Sequence, residues 1–257
     1  MELSDSKKAL VERHNKVVYV DGGRIVKVFK ASKPAADVFN EALNLARVAG
    51  AGVRVPKVLE VSQVADGAWA LSTEYVEGVT MRSLMEQAEG TPEFDKLLEQ
   101  FVDFQIEIQS TVAPELLNAQ REKVANMVGK VHELDPSVRY DLQTRASRMA
   151  PGRSICHGDF NPSNVIVASD GTLYACDWTH VTRGLPEADA AMTYILFKLY
   201  HGSHAEAYLD LFSKKADIAM QKNHYWVPVV AAAELSRNRK DKEEFLKSWI
   251  DVANDYE

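Results

Sequence analysis

His157-Gly158-Asp159-Phe160-Asn161-Pro162-Ser163-Asn164, with Cys176-Asp177-Trp178 twelve positions further on, is the stretch on which the fold and the chemistry turn. It offers one acid, Asp159, that can accept a proton. It also offers an amide, Asn164, and a second acid, Asp177, that can share a metal ion. Val165 to Ala168 and Leu173 to Cys176 read as short apolar strands around Ser169-Asp170-Gly171-Thr172. Asp-Gly signals a two-residue hairpin, because both central residues of a type I′ turn need positive φ. With Asp170 and Gly171 as the turn, Ser169 faces Thr172, Val165 faces Cys176 and Asn164 faces Asp177. Directly opposed residues have Cβ atoms about 5 Å apart. Two oxygen ligands so placed suit a hard cation such as Mg²⁺, which takes few protein groups plus substrate phosphates. Asp159 precedes them on a loop whose Pro162 limits the backbone, so it can point at a substrate. The bland reading is an ordinary turn, where Asp and Asn are common.

The chain has 257 residues, enough for one large domain or two lobes with a sizeable core. Its hydrophobic content of 46% and charged content of 26% are ordinary for a globular protein. A net charge of −7, with no cluster of Lys and Arg among aromatics, argues against a general nucleic-acid binder. The same acidity suits a cationic substrate. Cys156 and Cys176 are the two cysteines. They give no disulfide framework and point to a reducing compartment. With His157 and His180 they raise a zinc site, but neither C-x₂-C nor H-x₃₋₅-H spacing is present. Met1 to Asp5 lacks the basic and apolar regions of a signal peptide. No apolar run approaches the roughly 18 residues of a membrane span. A cytoplasmic protein without membrane partners is therefore expected.

Val17–Val20 and Ile25–Phe29 read as strands joined at Asp21-Gly22-Gly23. Alternation puts Ile25, Lys27 and Phe29 on one face. Lys27 is thus either an edge lysine in water or a lysine facing a polyanion. A helix over Val38–Ala49 carries an apolar stripe on which Glu41 lies. A carboxylate there needs a partner or water, and Lys27 is the natural partner. Val53–Val64 and Trp69–Val76 read as further strands. A linker at residues 77–80 then divides the chain into a β-rich lobe, 1–77, and a helical lobe, 78–257. Helices are expected at about 92–113, after the Thr91-Pro92 start signal, and at 114–133, 136–149, 187–200, 205–221, 225–236 and 242–253. Pro228 marks an irregular start to the one at 225–236. The fold class is α+β and bilobal, a small antiparallel β N-lobe with one helix and a larger, mainly helical C-lobe, and the cleft between such lobes suits a ligand.

These residues carry a family likeness. The order and spacing of Asp159, Asn164 and Asp177 match the base and two Mg²⁺ ligands of protein kinases. The sequence resembles the aminoglycoside phosphotransferase/choline kinase group, whose fold is protein kinase-like, from about Lys16 to about Glu234. His157 to Asn164 resembles its catalytic motif and Asp177-Trp178-Thr179 its metal-binding position. Arg24 to Phe29 resembles the third strand, Glu41 the partner glutamate, Glu74 to Gly78 the hinge, and Gly184 to Asp189 the later segment.

The resemblance implies an enzyme that transfers a phosphoryl group from ATP or GTP, with Mg²⁺, to a hydroxyl of a small molecule. Lys27, held by Glu41, would bind the α- and β-phosphates. Asn164 and Asp177 would hold the metal, and Asp159 would take the hydroxyl proton. The backbone of Glu74 and Val76 would meet the base, with Ile25 lining its pocket. His157 and Asp189 would support the loop, and Asn161 stands where kinases often place a lysine. There is no Gly-x-Gly-x-x-Gly loop, and Asp189 follows Asp177 by only twelve positions, too few for a peptide-binding activation segment. That favours a small acceptor: an aminoglycoside, a sugar or an amino alcohol. Glu187, Glu206, Asp210, Asp217, Glu234 and Trp226 are candidates for its pocket, or simply solvated helix faces. The alternative from another class is a nucleotide-binding, pseudokinase-like regulator without phosphotransfer.

Overall fold

A computed structural model describes residues 1–13 and 15–251. It divides into two compact units, Met1–Met81 with Asn164–Thr179, and Arg82–Ser163 with His180 onward.

The first unit is built on an antiparallel sheet ordered β1-β2-β3-β5-β4. Its strands are β1 (Lys8–Glu12), β2 (Lys16–Asp21), β3 (Arg24–Phe29), β4 (Val58–Gln63) and β5 (Trp69–Glu74). Gly22 and Gly23 have φ of 58° and 82°, so the β2–β3 connection is the two-residue turn that lacks a Cβ penalty. Lys16 consequently pairs with Phe29 and Val18 with Lys27. Helix α1 (Ala35–Gly50) covers one face. Phe29, Val38, Ala42 and Leu71 form the core between helix and sheet. Both edge strands carry a register break, between Ala9 and Val11 in β1 and between Val58 and Glu60 in β4.

The expected linker is itself a strand. β6 (Gly78–Thr80) pairs with β8 (Val165–Ala168), which pairs with β9 (Leu173–Ala175). A Cβ on Gly78 would run into the Val167 backbone, so only glycine permits this approach. The hairpin placed by sequence in the helical lobe therefore belongs to the first unit, whose N-terminal stretch ends at Met81 rather than at residue 77. Its register also differs from expectation. Val165 faces Ala175, not Cys176, and Ala168 bonds Thr172. Of the turn residues only Gly171 has positive φ, 84°. The connection is a three-residue loop with one left-handed glycine, and every partner slips by one position.

The second unit is helical. It comprises α2 (Met81–Gln87), which starts at the boundary, α3 (Pro92–Ser110), α4 (Gln120–Gly129), α5 (Pro136–Ser147), α6 (Pro186–Tyr200), α7 (Ala205–Ala216), α8 (Met220–Leu235) and α9 (Glu243–Asp251). A two-stranded sheet joins β7 (Ser154–Cys156) to β10 (Thr182–Gly184). The core is aromatic, with Phe101 4.5 Å from Phe160 and Phe197 stacked 4.9 Å from Tyr208. Three helices differ from expectation. The helix begun at Pro114 starts only at Gln120, because Asn118 and Ala119 pair with Arg183 beside β10. The helix begun at Ala205 stops at Ala216, where Asp217 turns left-handed with φ of 54°. Pro228 lies inside α8, not at its start. It forfeits one backbone bond, and burial along Trp226–Leu235 against α4 and α6 holds the helix together. Among the described residues no helix is long and apolar enough to cross a membrane.

Candidate active site

In the first unit a chain of charges runs from α1 across the sheet to the hairpin. Lys27 lies mid-strand in β3 between β2 and β5, and its Nζ donates to Glu41 Oε1 at 2.7 Å. Glu41 is only 3% exposed, so the carboxylate on the apolar stripe of α1 is neutralised by the lysine on the facing strand. Burial opposes the charge of Lys27. The negative charges of Asp177 and Glu41 outweigh it and hold the ammonium above the ordinary lysine value.

Asp177 follows the hairpin with φ of 62°, a left-handed conformation that Asp tolerates better than most residues. Thr179 Oγ1 donates to its Oδ1 at 2.8 Å and Lys16 Nζ to its Oδ2 at 3.2 Å. Burial favours the neutral acid. The nearby Lys27 and Lys16 charges prevail and keep Asp177 well below the usual carboxylate range. Asn164, just before β8, accepts at its backbone oxygen from Cys176 N–H at 2.7 Å. It therefore faces Cys176 and stands one step off the direct pairing with Asp177 expected from the turn.

Sequence reasoning passes over Lys16. The signal was present: the Gly22-Gly23 turn fixes a register in which Lys16 and Val18 share a face, and Val18 opposes Lys27. Both lysines thus project to one side of the sheet. At the expected hinge, Ile25 faces Thr73 and is half-buried, as are Glu74 and Val76. The Glu74 N–H is already committed to Lys57 O at 2.9 Å.

In the second unit β7 delivers the loop containing Asp159. His157 is 1% exposed, and its Nδ1 accepts the Asp159 backbone N–H at 3.2 Å. Its ring lies edge-on to Phe160, 5.7 Å away. Asp189, in the first turn of α6, accepts from Gly158 N–H at 2.8 Å and from Gln109 Nε2 at 2.9 Å. Gly158 has φ of 74°, and a Cβ there would lie 2.7 Å from His180 O. Asn161 Nδ2 donates to the Asp159 carbonyl at 3.0 Å, and its Oδ1 accepts from Ser163 N–H at 3.0 Å. Asn161 thus ties the loop to itself.

The acidic pocket candidates are mostly committed elsewhere. Glu206 binds Lys198 at 2.7 Å and Tyr194 OH at 2.8 Å, and Asp210 binds Lys214 at 2.6 Å. Asp217 ends α7. Glu234 is fully buried beside Arg237, at 2.8 Å. Trp226 is 7% exposed in the core. Cys156 and Cys176 are free thiols, and among the described residues no group of three or more His, Cys, Asp or Glu is placed to hold a metal.

The sequence signature of the phosphotransferase enzyme family matches residues 8–219. No curated protein matches the chain. Solved structures do. A thermostable mutant of aminoglycoside phosphotransferase APH(4)-Ia, in ternary complex with AMP-PNP and hygromycin B, superposes with a TM-score of 0.73 at 15% identity, over 97% of this chain and 93% of that one. Aminoglycoside phosphotransferase APH(3'')-Id from Streptomyces rimosus, with ADP and streptomycin, gives 0.62 at 18% identity over 88% and 92%. LicA in complex with AMP gives 0.60 at 16% identity over 98% and 93%. At these identities the likeness is one of fold, a protein kinase-like fold shared with aminoglycoside phosphotransferases. With the signature spanning most of its length, the chain belongs to the phosphotransferase enzyme family.

Proposed function

We propose that this chain is a Mg²⁺-dependent small-molecule kinase that moves the γ-phosphoryl group of ATP or GTP to an alcohol. The observation that carries this reading is the run Glu41–Lys27–Asp177–Lys16, an ionised carboxylate set between two lysines, one of them locked by a buried glutamate. Two cations on one face of a sheet suit the oxygens of a nucleotide triphosphate. The donors fit Mg²⁺: Asp177 contributes a carboxylate oxygen already engaged by an ammonium, and Asn164 contributes an amide oxygen. When bound, the ion would neutralise charge on the β- and γ-phosphates.

Lys27 grips the α- and β-phosphates with its ammonium, and Glu41 fixes its direction. Lys16 serves as a further phosphate ligand where kinases use a glycine-rich loop, since it opens the strand after β1. Glu74 and Val76 border the nucleotide base, and Ile25 lines its pocket. Asp159 orients the acceptor hydroxyl. Its oxygen bonds to the γ-phosphorus, the bond from that phosphorus to the bridging oxygen breaks, the nucleoside diphosphate leaves, and the hydroxyl proton passes to the Asp159 carboxylate. His157 and Asp189 hold the loop through the Asp159 and Gly158 N–H groups. Positioning and charge neutralisation supply most of the rate in such transfers. The nucleotide complexes of the fold relatives support the donor.

The test is a nucleotide-consumption screen with ATP and GTP against sugars, amino alcohols, hydroxy acids and aminoglycosides. Turnover with a hydroxyl acceptor is expected. Tight Mg-nucleotide binding with no turnover across the whole panel would favour a regulator instead.

A further inference from the structure

Beside the loop that carries Asp159, α4 and the end of α8 bring Lys123 and Arg237 to one small cavity that Gly158, Gln120, His180 and Asp189 also line. Among the described residues the Lys123 ammonium has no ion pair and no hydrogen bond. Burial, and then the positive charge of Arg237, push it down to about 8. No described acid pairs with Lys123, whereas Arg237 is paired with Glu234. Asp189 lines the same cavity, its oxygens accepting from Gly158 N–H and Gln109 Nε2. Glu234 is shared by Arg237 at 2.8 Å and Arg239 at 3.6 Å. Even so, burial, with the nearby Asp159 charge, holds its carboxyl above the ordinary glutamate value. Arg237 keeps a buried Nε without a partner, while its Nη2 reaches Gly158 O at 3.5 Å. A half-buried lysine that has no ion pair of its own and faces an arginine is costly. An incoming anion would remove that cost.

We propose that Lys123 and Arg237 form an anion-binding subsite next to the catalytic loop, and that the acceptor is an alcohol bearing a carboxylate or phosphate group. The proposal rests on the phosphotransfer reading and names its substrate class. The cavity offers ≈ 30 Å³, room for one charged group and not for a whole acceptor, so the reacting hydroxyl lies outside it. Aminoglycosides carry protonated amines, which these two cations repel. Glu234, fully buried and paired with Arg237, is likewise closed to a polyamine.

Calorimetry on the full chain, with Mg²⁺ and AMP-PNP present, tests this with glycerate, glycerol 3-phosphate, glycerol and hygromycin B. At least one of the two anions binds, and glycerol and hygromycin B bind more weakly. Lys123→Met and Lys123→Gln each weaken the anion by roughly tenfold or more, the effect of removing one charge-assisted hydrogen bond, with AMP-PNP affinity unchanged. Lys123→Arg restores most of it. The two anions separate a carboxylate from a phosphate preference. The proposal is overturned if neither anion binds at millimolar concentration, if both neutralising variants bind it as well as the wild type, or if hygromycin B binds more tightly than both. If Lys123-dependent anion binding is found but nucleotide is never consumed, the subsite stands and the phosphotransfer reading falls.

Discussion

Asp159, Asp177 and Lys16 have separable expected signatures. Asp159 takes a proton from the acceptor and touches no nucleotide in the proposed mechanism. Asp159→Ala should therefore lower kcat by about 10²- to 10⁴-fold while leaving Mg-nucleotide affinity within about twofold. Single-turnover kinetics beside calorimetry checks it, and transfer at the wild-type rate would refute the assigned base. Asp177→Ala should do the reverse and abolish the Mg²⁺ dependence of nucleotide binding. Lys16→Met should raise the Kd for nucleotide by roughly tenfold, because one ammonium no longer meets the phosphates, with Lys16→Arg recovering part of it. An unchanged Kd would assign Lys16 only to holding Asp177. Much of this was legible in the sequence. Lys27 and Glu41 follow from strand and helix periodicity, and the 2.7 Å hydrogen bond between them is what a charge on an apolar stripe requires. Lys16 escaped because a lysine at a strand start looks like an edge residue, although the same turn that places Lys27 also places Lys16.

The two hairpins show at element scale how far turn chemistry reads through. Gly22-Gly23 leaves no choice, since both positions accept positive φ freely, and the register follows. Asp170-Gly171 allows two solutions. Asp170 accepts Thr172 N–H at 2.9 Å, a local bond that favours the three-residue loop, and Asn164 shifts by one place as a result. Helix ends were harder to read where another segment competes, as at Asn118 and Ala119 beside β10, or where packing carries a helix through Pro228. Glycine positions make a graded prediction. At Gly171 a Cβ meets nothing within 4 Å, so Gly171→Ala should cost about 1 kcal/mol, the left-handed strain alone. At Gly158 a Cβ also meets His180 O at 2.7 Å. Gly158→Ala should cost about 2–4 kcal/mol and disturb the Asp189 hydrogen bond that anchors the loop. Urea denaturation of the two variants measures both, and equal costs would contradict the tight approach.

For the molecule as a whole, the buried thiol of Cys156 reports on global opening. Burial holds Cys156 far above the ordinary thiol value and pushes Cys176 up to about 12. Buried Cys156 should not react with a thiol reagent at pH 8 until the protein unfolds, whereas the partly exposed Cys176 should react slowly because its thiol is held protonated. Because both folded values are raised, this contribution to stability is complete below the unfolded value near 9.0 and is lost as pH rises from there through about 12. Fast labelling of Cys176 alone at pH 8 would mean that its hairpin opens locally.

The sheet of the first unit has a further consequence, for association. An exposed strand edge offers unpaired N–H and C=O groups to any passing chain. Here each edge interrupts its own ladder and carries charge where a neighbour would dock: Lys8 and Glu12 on β1, Glu60 on β4. A strand arriving from another molecule would lose its register at the bulge and meet a solvated charge within a few residues. The protein can thus keep a five-stranded sheet with two open sides while discouraging its use as a template for aggregation.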